Sequence, residues 1–160
     1  MITPKPDRLK PGTTLRVMAS IFSRIIAGDI PGRIVWDDDT CVVMVDIRPL
    51  HRGHCLVIPK QEVDHWVDLD STTVQHLTGV AHIVAGVQQS VFRPERVGLM
   101  IAGFEVPHTH MHVIPIDTMA DLNFANADTN ADPEDLDRVA ELLRDGLIAA
   151  GHEAEVSATR

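Results

Sequence analysis

The sequence predicts an α+β fold, an antiparallel sheet of about five strands flanked by helices. Three observations predict it. Short apolar runs follow one another through links too short to hold a helix. Two long segments carry apolar residues at helical spacing. Helical and strand-like runs are also partly segregated, where a parallel sheet would alternate them. With 160 residues the chain is long enough to bury one real core. The expected organisation is an extended leader over 1–14, a main domain over 15–131, a helix over 132–150 packed on that domain, and a tail over 151–160.

Each element has a local reason. Residues 1–14 carry three prolines and mixed charges, which suits an extended leader. In 15–28, Val17, Ile21, Phe22 and Ile25 form one apolar face with Gly28 behind them, an amphipathic helix with a glycine stop. The sequence DIPG that follows is a turn. Residues 33–36, 42–46 and 54–59 read as three strands, with acidic residues 37–39 and the link IRPLHRG between them. Next, Val74, Leu77, Val80, Ala81, Val84, Val87 and Val91 trace one helical face over 71–92, with Ser71 placed to cap its start. The helix is rich in valine, so burial must override propensity. Residues 96–102 and 108–115 read as two further strands. Residues 117–131 are polar and irregular, with Leu122 and Phe124 as anchors. The last helix starts at DPED, where Asp132 caps and Pro133 takes the first turn.

Composition narrows the partners. The formal charge is −9, with 14 Lys and Arg and no basic cluster. A polyanion binder needs such a cluster to displace counterions, so nucleic acid and anionic membrane surfaces are not expected partners. No apolar run approaches the roughly 18–20 residues that span a bilayer. The N-terminal segment has no apolar signal-like region, so the cytoplasm is the expected location. Cys41 and Cys55 sit in apolar strand-like runs and are expected as buried free thiols.

The chemistry concentrates in EVPHTHMHVIP, residues 105–115. Three of the nine histidines alternate there. Along a strand, His108, His110 and His112 share one face, while Thr109, Met111 and Val113 share the other. Three imidazoles on one face suit a metal site. They equally suit a nucleophile flanked by two hydrogen-bonding partners. The alternation alone does not choose between them.

Together, SIFSRIIAGDIPGRIVWDDD, VDIRPLHRGHCLVIPK and HTHMHVIP resemble the histidine-triad (HIT) family of nucleotide hydrolases and transferases. The resemblance runs from about Ser20 to Pro115. It implies that 15–131 is a catalytic domain of this type, and that two protomers pair into a continuous sheet as a homodimer. It implies His110 as the nucleophile toward the α-phosphate of a purine nucleotide or nucleotide conjugate, through a nucleotidyl-histidine intermediate. The other substituent on that phosphate, an amine or a second nucleotide's phosphate, departs. His108 and His112 would then orient His110 and offer protons, with no metal or other cofactor required. Asp46 matches the carboxylate that accepts both ribose hydroxyls, and His54 the fourth histidine of the pocket. Ile21, Phe22, Ile25, Met44 and Ile47 match the apolar positions around the base.

Two departures from the family pattern stand out. Many relatives have Gly-Gln-Ser/Thr-Val before the triad, and here Gly103, Phe104, Glu105 and Val106 stand in those places. Gly103 and Glu105 are therefore the phosphate-loop candidates. Glu105 is expected to hold a neighbouring histidine protonated or to face a positively charged leaving group. Some bacterial relatives carry a zinc-binding C-x-x-C where this chain has Ser20 and Ser23, and hydroxyls are poor zinc ligands. The substituted loop keeps a nucleotide-binding module with little catalysis as a second function class. A zinc protein using the triad as ligands is a third.

Overall fold

A computed structural model describes residues 19–156. The leader 1–14, the beginning of the first expected helix and residues 157–160 lie outside the described residues. Five strands form one antiparallel sheet: β1 (Ile34–Asp37), β2 (Cys41–Val45), β3 (Cys55–Pro59), β4 (Arg96–Ile101) and β5 (Met111–Ile116). Their spatial order is β1-β2-β3-β5-β4, and every neighbouring pair is antiparallel. Among the described residues three α-helices accompany it: α1 (Ile21–Ile26), α2 (Ser71–Phe92) and α3 (Pro133–Ala149). None of the described helices is long and apolar enough to cross a membrane.

The two faces of the sheet bury different things. Val43, Val45, Cys55, Val57, Met111 and Val113 point to one side. They share a core with Leu77, Val80, Ala81, Val84 and Val87 of α2 and Leu136, Val139, Ala140, Leu143 and Leu147 of α3. Val42, Met44, Leu56 and Ile58 point to the other side, where Phe22 of the short helix α1 packs. Because helices cover only one face fully, the other is left with room for a cleft. Both cysteines are buried and free, in line with their apolar surroundings.

Three boundaries differ from the sequence expectation, each for a local reason. Asp70, not Ser71, caps α2; its carboxylate accepts from the Thr73 N–H at 2.9 Å. A carboxylate at that place also complements the positive end of the helix dipole. The expected strand over 108–115 begins its ladder only at Met111, opposite Val57. Further along β3, Pro59 has no N–H to offer, so pairing cannot continue. Residues 108–110 are held by other bonds instead: the Thr109 N–H donates to Val63 O at 2.7 Å, and the His108 ring bonds Pro59 O. Finally, 117–131 contains two short 3-10 turns, over Met119–Leu122 and Phe124–Asn126. Leu122 packs beside Leu50, Ile114 and Ile116 as an anchor.

Candidate active site

A cavity of about 320 Å3 opens on the sheet face that α1 only partly covers. Ile21, Phe22, Ile25, Met44, Asp46, Ile47, Glu105, His110 and His112 all line it. The apolar group thus comes from one helix and from the β2 end. Phe22 is nearly buried, whereas Ile21 and Ile47 are exposed at the mouth. Phe124 was singled out in the sequence only as an anchor. It closes the opposite wall, its ring edge-on to His112 at 5.0 Å.

The hydrogen-bond partners assign a proton to each buried imidazole. His54 Nδ1 accepts the Leu50 N–H at 3.1 Å, so its proton sits on Nε2. That Nε2–H donates to His112 Nδ1 at 3.0 Å. Burial, followed by the charge of the neighbouring histidines, pushes the His54 pKa down to about 3. Burial likewise pushes His112 down to about 4. His112 is therefore neutral near pH 7 with its proton on Nε2. His110 donates Nδ1–H to the His108 carbonyl at 2.7 Å, so the Nδ1–H tautomer is the one whose lone pair is on Nε2. The rings of His110 and His112 meet edge-to-face at 4.8 Å.

His108 does not stand where the sequence places it. It is fully buried and does not line the cavity. Its Nε2–H donates to Pro59 O at 2.8 Å and its Nδ1 faces Ser20 Oγ at 2.7 Å, so neither nitrogen is left to offer a proton to a substrate. What His108 gives the site is its backbone carbonyl. The three triad imidazoles consequently do not converge as ligands on one point, and a triad zinc site does not fit this geometry. Among the described residues, Asp46, His54 and His112 do bring three candidate ligand atoms together. Their facing ring nitrogens, however, already hydrogen-bond each other and Leu50. A second such group, Asp38, Cys41 and His76, is similarly occupied: Asp38 accepts from Trp36, Thr40, Cys41 and His76.

Asp46 accepts the Arg48 N–H on Oδ1 at 2.9 Å. Its Oδ2 lies 3.6 Å from His54 Nδ1, but a neutral His54 makes this a close approach and not an ion pair. Burial raises the pKa of Asp46. Glu105 also differs from expectation: its carboxylate pairs with Arg48 across the cavity mouth, not with a histidine. Gly103 does not line this cavity. It borders a neighbouring one of about 340 Å3, together with Asp64, Trp66, Phe104, Thr109 and His110.

These depressed histidines carry a stability consequence. His54 and His112 start from 6.5, so between that value and their folded ones the unfolded chain binds more protons. Stability therefore sits on its plateau above about pH 6.5 and declines as pH falls toward about 4 and about 3 respectively. The slope is on the order of 1 kcal/mol per pH unit for each group. Thermal melts near neutrality and two units lower should show Tm falling with pH across this window.

Comparison with known proteins places the site in context. The HIT domain family model matches residues 27–119. Protein hit of Bacillus subtilis is 33% identical over 141 residues, covering 81% of this chain and 95% of that one. Adenylylsulfatase HINT3 of Arabidopsis thaliana is 29% identical over 103 residues, covering 59% of this chain and 51% of that one. Among solved structures, a Zn-bound histidine triad family protein from Mycobacterium smegmatis superposes with a TM-score of 0.71 at 29% identity. That superposition covers 84% of this chain and 96% of the other.

Proposed function

Because this chain belongs to the HIT family, we propose that it binds a purine nucleotide conjugate and cleaves it at the α-phosphate, with His110 as nucleophile. One observation carries this reading. The His110 Nδ1–H bond to the His108 carbonyl fixes the tautomer, so that in the neutral ring, which lines the cavity, the lone pair is on Nε2. A neutral imidazole so fixed is a competent nucleophile. Its lone pair forms a bond to phosphorus, the bond to the leaving nitrogen or oxygen breaks, and the leaving group takes a proton from solvent. The positive charge on the nucleotidyl-imidazole is met by the His108 carbonyl. Nε2–H of His112 donates to a phosphoryl oxygen, where charge accumulates. Water then attacks phosphorus, releasing the nucleoside monophosphate and a proton and restoring neutral His110. Asp46 accepts the ribose hydroxyls, and Phe22, Ile25 and Met44 enclose the base, with Ile21 and Ile47 at the rim.

The charge around the cavity favours one class of leaving group. Among the described residues lining it, Arg48 is the one fixed cation, and it is paired with Glu105. A polyphosphate leaving group would face Glu105 and Asp46 with little compensation, whereas an amine would not. Adenosine phosphoramidates of a basic amine should therefore turn over faster than diadenosine polyphosphates when AMP release is followed. Equal or reversed rates would contradict this part of the reading. The expected homodimer is supported by β4: it is the outer strand, and Leu99 on it is half-exposed. Sedimentation equilibrium should give twice the chain mass; a monomer would contradict the pairing.

A further inference from the structure

We infer that Ser20, locked in place by Glu62, is a positioning residue for the nucleophile. Its hydroxyl sets the tautomer of His108, and thereby the carbonyl that orients His110. This rests on reading His110 as the attacking group.

His108 is fully buried, which favours its neutral form with one donor and one acceptor nitrogen. Pro59 O can only accept, so the proton belongs on Nε2 and Nδ1 must accept. The donor it meets is the Ser20 hydroxyl at 2.7 Å; Ser23 Oγ stands farther away, at 3.5 Å. Ser20 is itself buried.

Glu62 decides where the serine protons go. Its Oε2 accepts the Ser20 N–H at 3.0 Å and the Ser23 hydroxyl. The hydroxyl proton of Ser23 is thus committed to the carboxylate. The Ser20 oxygen accepts the Ser23 N–H at 3.0 Å as the N-cap of α1; of the two acceptors its own proton can reach, His108 Nδ1 at 2.7 Å is much nearer than Ser23 Oγ at 3.3 Å. The donors then run in one direction: Ser20 to the His108 ring, that ring to Pro59, and His110 to the His108 carbonyl. The same helix carries Phe22, whose ring lies edge-on to His110 at 5.1 Å and to His108 at 5.9 Å. Helix α1 is therefore joined to the nucleophile segment at two places, one polar and one apolar. Without the Ser20 hydroxyl, His108 Nδ1 would be a buried acceptor with no good donor. The ring would then have to change tautomer or turn, and the segment carrying the carbonyl would shift with it.

The test uses Ser20→Gly, because glycine caps a helix nearly as well as serine and the fold should persist. Ser20→Thr is the conservative control that keeps the hydroxyl. Ring-nitrogen NMR shifts of 15N-labelled protein at mildly alkaline pH should show His108 as the Nε2–H form and His110 as the Nδ1–H form. In Ser20→Gly, those single-tautomer signals should be lost. Turnover of an adenosine phosphoramidate should fall roughly tenfold in kcat, with KM changed less than about twofold. Ser20→Thr should restore both readouts. Unchanged nitrogen shifts in Ser20→Gly would overturn the inference, whatever happens to kcat, and so would a loss confined to KM. The shifts are read on resting protein, so this result stands apart from whether the wild type cleaves phosphoramidates. An inactive wild type would instead count against the proposed nucleophilic role.

Discussion

Replacing His110 with asparagine should lower kcat on adenosine phosphoramidates by roughly four orders of magnitude or more, the scale of losing an attacking group. Affinity for AMP should change little. The asparagine amide can keep a hydrogen bond to the His108 carbonyl, and it leaves the apolar walls and Asp46 untouched. What it lacks is a lone pair able to form a bond to phosphorus. The result separates two function classes directly. If the protein were a nucleotide-binding module with little catalysis, the variant and wild type would release AMP at similar slow rates. Stopped assays for AMP release, paired with titration calorimetry using AMP, would read both halves of the prediction.

A second large effect is expected at Gly53, which does not itself line the cavity. This residue has φ +93°, a conformation that costs any side chain energy. A Cβ there would also come within 2.6 Å of Phe92 Cε2 and 2.7 Å of Cδ2. The ring cannot yield easily, because Phe92 packs against the main core and the Arg52 guanidinium lies over it at 5.5 Å. The Gly53 carbonyl is held by Gln88 Nε2 at 2.8 Å, so the turn itself is pinned. Gly53→Ala should therefore cost about 2–4 kcal/mol, or about 5–15 °C in Tm. Gly103→Ala provides the contrast. It shares a positive φ of +83°, but nothing lies within 4 Å of its Cβ position, so only backbone strain of about 1 kcal/mol is expected. Thermal unfolding of the two variants side by side would isolate the steric part. Because His54 follows Gly53 and donates to His112, Gly53→Ala should also disturb the cavity.

Much of this arrangement could be read from residue pattern alone. The apolar spacing over 71–92 identified α2 end to end, because a long face at 3.6 periodicity admits few other readings. Four strands were found within a residue, while β5 begins three residues later than expected; short links pointed to an antiparallel meander for β1 to β3, but not to the place of β4 outside β5. Asp46, His110, His112 and the five apolar residues do meet around one cavity. What escaped depends on where side chains turn once the chain is folded. His108 alternates with the other two histidines, but the β5 ladder stops short of it when β3 ends at Pro59, and its ring turns into the interior. Gln88 lies on the apolar face of α2 and is fully buried, donating to the Gly53 and Val113 carbonyls. Periodicity treats it as an interruption and gives no hint of its partners. Arg48, Glu62 and Phe124 come from connecting segments, which have no period to betray a role. Glu105 was visible as an anomaly, yet its partner was not, since Arg48 lies 57 positions away in the sequence.

The proposed reaction requires that Nε2 of His110 form a bond to phosphorus during turnover. The most direct measurement is mass spectrometry of protein quenched in base within the first turnovers of an adenosine phosphoramidate, since a phosphorus–imidazole bond survives base better than acid. The expected result is one adenylyl group on the peptide spanning residues 108–115, located on His110 and absent from His110→Asn. An adenylyl group on any other residue, or cleavage at full rate with no adduct at any time point, would contradict it.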